Sequence, residues 1–235
     1  QTRVEKILKV EGTDRHKLGR DKFLDRVKNF VQESQTAIID QTKKMGSSCD
    51  WSRLAYTLDA TRTKAVRSVF KMMYDDGLIY RAEDLINWCP SCRTALSDLE
   101  VEVEEGARGS LWEIAYPLAD GGGMLVVATT RPETMLGDTA IAVHPDDERY
   151  RHLIGKDAIL PLMERRIPII GDPILVDPKF GTGAVKVTPG HDFNDFETGK
   201  RNGLPLISVL DEAGRINDRG GIYQGLDRFE ARKKV

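Results

Sequence analysis

The sequence pattern changes near Leu99, and this change is the strongest constraint on the fold. From there on, short β-branched or alternating segments are separated by Gly, Pro and Asp. Such segments predict β-strands, which we expect at 111–116, 124–130, 139–143, 167–170 and 184–188. Many short strands with few helices are typical of barrels and mixed modules. We therefore predict an α+β protein in which this part is a β-barrel-like domain with surrounding helices.

The residues before this change have a helical pattern. One helix is expected to end at Gly46, and a second is expected to run from an N-cap at Asp59 to a stop at Gly77. The first helix has apolar residues that share one face, namely Phe23, Val27, Phe30, Val31 and Ile38. We divide the chain near residue 105, into a mainly helical region 1–105, a domain 106–225 and the start of a further helix at 226–235.

Composition indicates a soluble globular protein, with 40% hydrophobic and 31% charged residues among 235. No apolar run is long enough to span a bilayer, so no membrane partner is expected. The formal net charge of −2 gives no overall electrostatic case for nucleic-acid binding. Three cysteines are typical of a reducing compartment, and we predict a cytoplasmic protein. Gln1 stands where an initiator Met is usual, as expected of a trimmed terminus or a piece of a longer protein.

A first polar turn follows the apolar residues 125–128. Pro132 stands where a helix can begin, and Gly137 stands where it can stop. The junction between strand and helix exposes backbone N–H groups to a ligand. We expect a polar site there, built from the side chains of Thr129, Thr130, Arg131 and Thr134. The alternative for Arg131 is a weak surface ion pair with Glu133.

A second polar turn occupies residues 180–195. Strand alternation points Lys186 and Thr188 to the same side, and Pro189 then breaks the strand. Asp192 stands at an N-cap position and Asp195 at the third position of the next helix, so helix capping explains both aspartates at least as well as function does. Two further alternatives are open. Lys186 can be a solvated strand-edge lysine and His191 a loop histidine.

The Cys89-x-x-Cys92 motif raises the question of zinc. A tetrahedral zinc site needs four ligands, and this motif supplies two. Cys49 lies in an unrelated segment, and no histidine has the usual spacing. We therefore predict half of a structural zinc site, with Cys89 and Cys92 as ligands and the other pair outside this chain. A thiol redox role is less favoured, because no strand is expected before the motif and no helix after it to lower the thiol pKa.

Six motifs together resemble the valyl-tRNA synthetases, a family of class I aminoacyl-tRNA synthetases, over nearly the whole chain. They are RHKLGR (15–20), DWSR (50–53), GLIYR (77–81), NWCPSCRTALSDLEVE (87–102), TTRPETMLGDTAIAVHPDDERY (129–150) and KVTPGHDFND (186–195). The isoleucyl and leucyl enzymes share the first polar turn in altered form. Two residues depart from the family pattern, because Gly190 stands where alanine is usual and Tyr56 where phenylalanine is common.

The resemblance implies an editing domain inserted into a nucleotide-binding, Rossmann-like fold, of which the helical region is an incomplete part. Its expected activity is hydrolysis of threonine wrongly attached to the terminal adenosine of valine tRNA, with threonyl adenylate as a further substrate. The ATP-binding signatures HIGH and KMSKS are absent from this chain. We therefore expect no aminoacylation by it. Editing needs no cofactor, and ATP and magnesium serve only the full-length parent enzyme, whose other parts are expected partners.

The resemblance also implies roles for individual residues. Asp195 and Asp192 would accept hydrogen bonds from the threonine ammonium or hydroxyl, or orient a water, and Phe180 would form a wall against adenine or the amino acid. The expected catalytic group consists of Lys186, Thr188, Asp192 and Asp195. The expected substrate-binding group consists of Thr129, Thr130, Arg131, Thr134, Phe180 and His191. Two alternatives are a tRNA-docking module without catalysis and an editing domain of isoleucyl or leucyl type.

Overall fold

The computed structural model describes residues 1–102, 104, 106 and 109–235. These residues form two compact units, Gln1–Arg81 and Ala82–Val235. The domain boundary predicted near residue 105 lies at a position outside the described residues and stays a prediction. Among the described residues, no helix is both long enough and apolar enough to cross a membrane.

The first unit is helical, as predicted. The two expected helices are confirmed, and Asp59 caps the second by accepting a hydrogen bond from the Arg62 N–H at 2.9 Å. Val4 and Leu8 are the buried hydrophobic residues of this unit, all of which is described. Its helices are α1 Thr2–Val10, α2 Arg15–Leu18, α3 Arg20–Lys44 and α4 Ala60–Asp75.

The second unit contains two hairpins and a four-stranded sheet. The hairpins pair β1 (Asn87–Cys89) with β2 (Thr94–Leu96) and β3 (Trp112–Pro117) with β4 (Met124–Thr129). The sheet has the order β6-β7-β5-β8, in which only the β5–β7 pair is parallel. Its strands are β5 Ala140–Val143, β6 Asp157–Leu160, β7 Arg165–Gly171 and β8 Ala184–Val187. All five predicted strands are confirmed within one or two residues.

The strands β3 to β8 share one apolar core, to which each strand contributes buried side chains. Leu118, just after β3, pairs with Ala158 in β6 through an isolated bridge, and β4 lies beside β8. However, the hydrogen-bonded ladders of the described residues form small separate sheets and no closed barrel. The α+β fold is thus confirmed, whereas the barrel is incomplete because β4 and β8 are not paired.

Two helices border this core. Helix α5 (Phe193–Asn202) begins directly after the second polar turn and ends at Gly203, which has the left-handed conformation that favours glycine. Helix α6 (Arg228–Lys234) is the C-terminal helix that the pattern from Asp227 predicted, and Asp227 caps it. Both helices contact the polar turns, so they position the side chains described next.

Candidate functional site

The first polar turn is tied together by its own side chains. After β4, residues Pro132–Gly137 form a short 3₁₀-helix with Pro132 in its first turn. The Arg131 N–H donates to Thr129 Oγ1 at 3.1 Å, and Thr134 Oγ1 donates to the Arg131 carbonyl at 2.9 Å. Thr129 and Thr134 are buried, whereas Thr130 is exposed. The turn therefore holds Arg131 in place, and its guanidinium is the group that reaches outward.

The second polar turn sends two side chains into the interior. Lys186 and Thr188 point to the same side, as strand alternation predicted, and Lys186 Nζ lies 2.5 Å from Thr188 Oγ1. Both residues are buried, so the alternative of a solvated strand-edge lysine is wrong. Their polar groups meet Asp138, a carboxylate that the sequence analysis did not single out.

Asp138 is fully buried at the end of the first turn. Its Oδ1 accepts from Thr188 Oγ1 at 2.5 Å and from Lys186 Nζ at 3.4 Å, and its Oδ2 accepts from Tyr116 OH at 2.6 Å. Burial raises the pKa of Asp138, while the Lys186 ammonium and the two hydroxyl donors oppose that rise. The same burial, with the neighbouring carboxylate, raises the pKa of Tyr116. These four residues form what we call the Asp138 network.

The two aspartates of the second turn have different environments. Asp192 is exposed and caps α5, because its Oδ1 accepts from the Asn194 N–H at 2.8 Å and the Asp195 N–H at 3.2 Å. Asp195 is buried, and its Oδ2 accepts from the Thr188 N–H at 2.8 Å. Burial raises the pKa of Asp195 to about 6, although the Thr188 N–H and the Lys186 ammonium oppose the rise. Asp195 therefore titrates close to neutral pH.

The two polar turns meet at His191. Arg131 Nη1 donates to the His191 carbonyl at 2.9 Å, and His191 Nε2 accepts from the Val209 N–H at 2.8 Å. Burial, together with the charges of Arg131 and Lys186, lowers the pKa of His191 to about 4. The imidazole is thus neutral at pH 7, and its Nε2 atom accepts the hydrogen bond that fixes the backbone at Val209.

A close approach of the Ile207 carbonyl explains the glycines in both turns. A Cβ atom at Gly137 would lie 2.9 Å from Ile207 O, and a Cβ atom at Gly190 would lie 2.4 Å from the same oxygen. Any larger residue at Gly190 needs a shift of the backbone at Ile207. The glycine that departs from the family pattern therefore lets a third segment pack against the two turns.

Glu133 anchors the first turn to the C-terminal helix. Its carboxylate is fully buried, and it accepts from Arg232 Nε at 2.9 Å and Arg232 Nη2 at 2.6 Å. The Arg131 Nε atom lies 3.8 Å away. The hydrogen bonds to Glu133 raise the pKa of Arg232. The pair between Arg131 and Glu133 therefore forms, but it is not a surface pair, because Glu133 has no exposed surface.

A cavity of about 660 Å³ opens beside the two turns. Arg131, His191 and Asp192 line one side, and the β1–β2 hairpin lines the other with residues that include Trp88. The Trp88 Nε1–H donates to the Glu212 carbonyl at 2.9 Å and so holds the hairpin against this unit. Cavities of this size accommodate nucleoside-sized ligands.

The structure thus sorts the ten candidate residues into four groups. Arg131, His191 and Asp192 line the cavity. A second group is buried and does not line the cavity; it consists of Thr129, Thr134, Lys186, Thr188 and Asp195. Thr130 is exposed on the first turn, and Phe180 is 79% exposed and does not line the cavity. Sequence reasoning missed Asp138, Tyr116, Glu133 and Arg232; the detectable signal was the presence of Glu133 and Asp138 in an otherwise apolar stretch before β5.

The two cysteines lie at the tip of the β1–β2 hairpin. Cys89 Sγ accepts from the Cys92 N–H at 3.3 Å, and this hydrogen bond lowers the pKa of the Cys89 thiol. Among the described residues, no group of three or more His, Cys, Asp or Glu side chains is arranged to hold a metal ion. The hairpin can therefore provide two ligands of a tetrahedral set, and a complete zinc site needs two more.

Comparison with known proteins identifies the family. The model of the class I tRNA synthetases for isoleucine, leucine, methionine and valine matches residues 1–224. The chain belongs to this family. A valine–tRNA ligase from Syntrophotalea carbinolica is 59% identical over the full chain, and one from Geobacter sulfurreducens is 56% identical. These relatives confirm the resemblance to the valyl enzymes. The chain spans 26% of the length of each.

Two solved structures of leucyl enzymes are similar at a lower level. One is described as the ternary complex of Agrobacterium radiobacter K84 agnB2 LeuRS-tRNA-LeuAMS; it is 20% identical, with a TM-score of 0.42, over 93% of this chain and 35% of that chain. The other, GlLeuRS-CP1, is 14% identical, with a TM-score of 0.37, over 47% of this chain and 77% of that chain.

Proposed function

We propose that this chain hydrolyses threonine from misacylated valine tRNA. The observation that carries the proposal is the junction of the two polar turns, where Arg131 donates to the His191 carbonyl and lines the same cavity as Asp192. An exposed guanidinium, an exposed carboxylate and a neighbouring cavity are the groups that bind an ester carrying a free ammonium. The similarity to valine–tRNA ligases supports tRNA as the partner.

The need for such a reaction follows from the shapes of the two amino acids. Threonine and valine are nearly isosteric, and a pocket built for valine rejects the added hydroxyl only about 10²-fold, a figure known for valyl-tRNA synthetase itself. A second pocket that requires the hydroxyl discriminates more strongly, because valine would leave its polar groups unpaired. Carboxylates such as Asp192 and Asp195 accept hydrogen bonds from both the hydroxyl and the ammonium of threonine.

In the proposed reaction, water attacks the ester carbonyl carbon. The bond to the ribose oxygen breaks, that oxygen takes up a proton, and threonine and free tRNA leave. The Arg131 guanidinium donates to the oxyanion that forms, which is the main electrostatic demand of ester hydrolysis. Asp192 holds the ammonium, and Asp195, which is buried within the second turn and has a pKa of about 6, accepts a hydrogen bond from the Thr188 N–H.

The test measures deacylation of Thr-tRNA(Val) and Val-tRNA(Val) by the parent chain and by Asp195→Asn and Lys186→Met. We expect the parent to prefer the threonyl ester and both variants to lose about 10²-fold or more of the rate. Asp172→Asn is the matched control, because Asp172 is also a buried, ion-paired carboxylate, 2.9 Å from Arg201 Nη2, and does not line the cavity.

Because the chain spans a quarter of its relatives, the same variants are also assayed in a chimera that replaces the matching segment of the Syntrophotalea carbinolica ligase. Equal rates for parent and both variants would overturn the site. tRNA binding without hydrolysis would favour a docking module, and a preference for other mischarged tRNAs would favour isoleucyl or leucyl editing. Metal analysis of the chimera tests the further proposal that Cys89 and Cys92 supply half of a zinc site.

A further inference from the structure

Asp138 does not line the cavity of the proposed site, and the proposed reaction gives it no role. Asp138 has no exposed surface, so it cannot touch a substrate. Its two carboxylate oxygens accept hydrogen bonds from different residues. One accepts from Thr188 Oγ1 and Lys186 Nζ, at 2.5 Å and 3.4 Å, and the other accepts from Tyr116 OH at 2.6 Å.

Stability alone does not explain this arrangement. A buried carboxylate is costly unless it is paired and hydrogen-bonded, and well-packed apolar residues of similar volume are often equally stable. The core near Asp138 includes apolar residues such as Met135 and Ile141, and the neighbouring Thr134 and Thr139 are buried as well. Four polar groups in such a core therefore indicate that their geometry matters beyond the packing of the fold.

The backbone of Asp138 is also fixed. Arg165 Nη2 donates to the Asp138 carbonyl at 2.8 Å and to the Leu136 carbonyl at 3.2 Å. The carbonyl of Asp138 is thus bound by Arg165 at the start of β7, and its carboxylate is bound by Tyr116 in β3. A carboxylate held in this way has a fixed position, and it therefore fixes the positions of the side chains that donate hydrogen bonds to it.

Thr188 connects Asp138 to the site. Its hydroxyl donates to Asp138 Oδ1, while its backbone N–H donates to Asp195 Oδ2 at 2.8 Å. One residue therefore links the buried carboxylate of the first turn to the aspartate of the second turn. Lys186, whose ammonium is close to both Thr188 and Asp138, is held by the same carboxylate.

We propose that Asp138 is a positioning residue of the deacylation site, which orients Lys186 and Thr188 and, through Thr188, sets the position of Asp195. This inference rests on the proposed function. Asp138 acts entirely through its neighbours, and Tyr116 assists by fixing the second carboxylate oxygen. Loss of this alignment slows the chemical step, because displacement of reacting groups by about 1 Å costs on the order of 10²-fold in rate.

The test compares Asp138→Asn and Tyr116→Phe with the Asp172→Asn control. We expect kcat for Thr-tRNA(Val) to fall about 10- to 100-fold in Asp138→Asn and about 3- to 10-fold in Tyr116→Phe, with KM changed less than about twofold. Asp172→Asn removes a comparable buried carboxylate, and its kcat should stay within about threefold of the parent. Melting temperatures of all three variants show whether rate follows stability.

A double-mutant cycle separates positioning from a general structural role. Because Asp138 orients Thr188 as well as Lys186, Asp138→Asn should cause a smaller loss of kcat in a Thr188→Val background than in the parent. Additive losses would overturn the inference. If Thr188→Val is too slow to measure, the comparison of Asp138→Asn with Asp172→Asn at matched melting temperature decides, and equal kcat values would overturn it. An inactive parent would instead contradict the proposed function.

Discussion

The two units differ in how much of their apolar surface they bury. In the first unit, Gln1–Arg81, only Val4 and Leu8 are buried, although all of its residues are described. In the second unit, Ala82–Val235, three clusters of buried hydrophobic residues fill the space between strands and helices. Helix α4 shows the contrast most clearly, because it leaves large apolar side chains exposed, namely Val66, Val69, Phe70, Met72, Met73 and Tyr74.

The unit with the larger apolar core is also the unit that contains the candidate site. Helices gain most of their stability from packing an apolar face, and isolated helices are marginal in water. The second unit contains its own core and also every candidate site residue, so its site is built on a rigid frame. The first unit has the caps and periodicity of helices but little core, as the resemblance to an incomplete nucleotide-binding fold implies.

The largest expected effect is a difference in amide exchange between the units. We expect backbone amides in β5 and β7 to exchange at least about 10³-fold more slowly than those in α4, because core strands open only with global unfolding, which typically costs 5 kcal/mol or more. Hydrogen exchange followed by mass spectrometry measures this directly. Equal protection in α4 and the sheet would contradict the contrast.

The next effect compares a buried and an exposed ion pair. Arg232→Ala would leave the fully buried Glu133 without its partner, and we expect it to lower the free energy of unfolding of the second unit by about 3–5 kcal/mol. Arg26→Ala breaks the exposed pair with Glu11 in the first unit and should cost less than about 1 kcal/mol. Urea denaturation of the parent and of these two variants measures both values. Similar costs would contradict the burial argument.

Two buried groups of the second unit should give opposite pH dependences. The pKa of Asp195 is raised from 3.8 to about 6 in the folded state. Its contribution to the free energy of unfolding is therefore fully present below pH 3.8 and is lost as the pH rises through 6. The folded pKa of His191 is lowered from 6.5 to about 4, so its contribution is present above pH 6.5 and is lost as the pH falls through 4. Between pH 4 and 6, Asp195 makes the free energy of unfolding fall with rising pH, whereas His191 makes it rise.

Single substitutions separate the two slopes. Relative to the parent, Asp195→Asn should lose about 2–3 kcal/mol of stability on going from pH 6.5 to 4, and His191→Gln should gain a similar amount. The parent chain is the reference for both variants, and urea denaturation across this pH range is the measurement. The same dependence of stability on pH in the parent and in both variants would contradict the shifted pKa values.

Local sequence signals were sufficient for most elements of the fold. Glycine stops, aspartate caps and β-branched runs predicted α3, α4 and five strands, because these signals act over a few residues. The short strand β6, with the sequence DAIL, was missed because it has too few residues to show alternation. The sequence also predicts short extended segments at 78–80 and 84–88; the first is not a strand, whereas part of the second belongs to β1.

The site was predictable only in part, because long-range contacts decide it. Strand alternation correctly put Lys186 and Thr188 on one side. It could not reveal that both side chains donate hydrogen bonds to Asp138, which is distant in the sequence. The partner of Glu133 is Arg232 on the C-terminal helix, and no local pattern connects them. Resemblance to the family named the residues of the second turn, whereas burial and charge had to come from the folded chain.

The smallest expected effect compares two aspartate N-caps, Asp59 of α4 and Asp192 of α5. Each accepts hydrogen bonds from backbone N–H groups, Asp59 from Arg62 and Asp192 from Asn194 among others. Replacement of either by alanine should cost about 1 kcal/mol. In the second unit this loss should appear in global unfolding, whereas in the first unit it should appear as faster exchange within α4 alone.

Asparagine at the same positions separates capping from function. Asparagine caps a helix as well as aspartate does, so Asp192→Asn should keep the stability of α5 while it removes the carboxylate charge beside Arg131. If Asp192 binds the threonine ammonium, KM for Thr-tRNA(Val) should rise about 10-fold or more in Asp192→Asn, since a charge-assisted hydrogen bond is lost. Asp59→Asn should change neither stability nor KM. An unchanged KM in Asp192→Asn would leave capping as the whole role of Asp192, and the ammonium would have to be bound by another group.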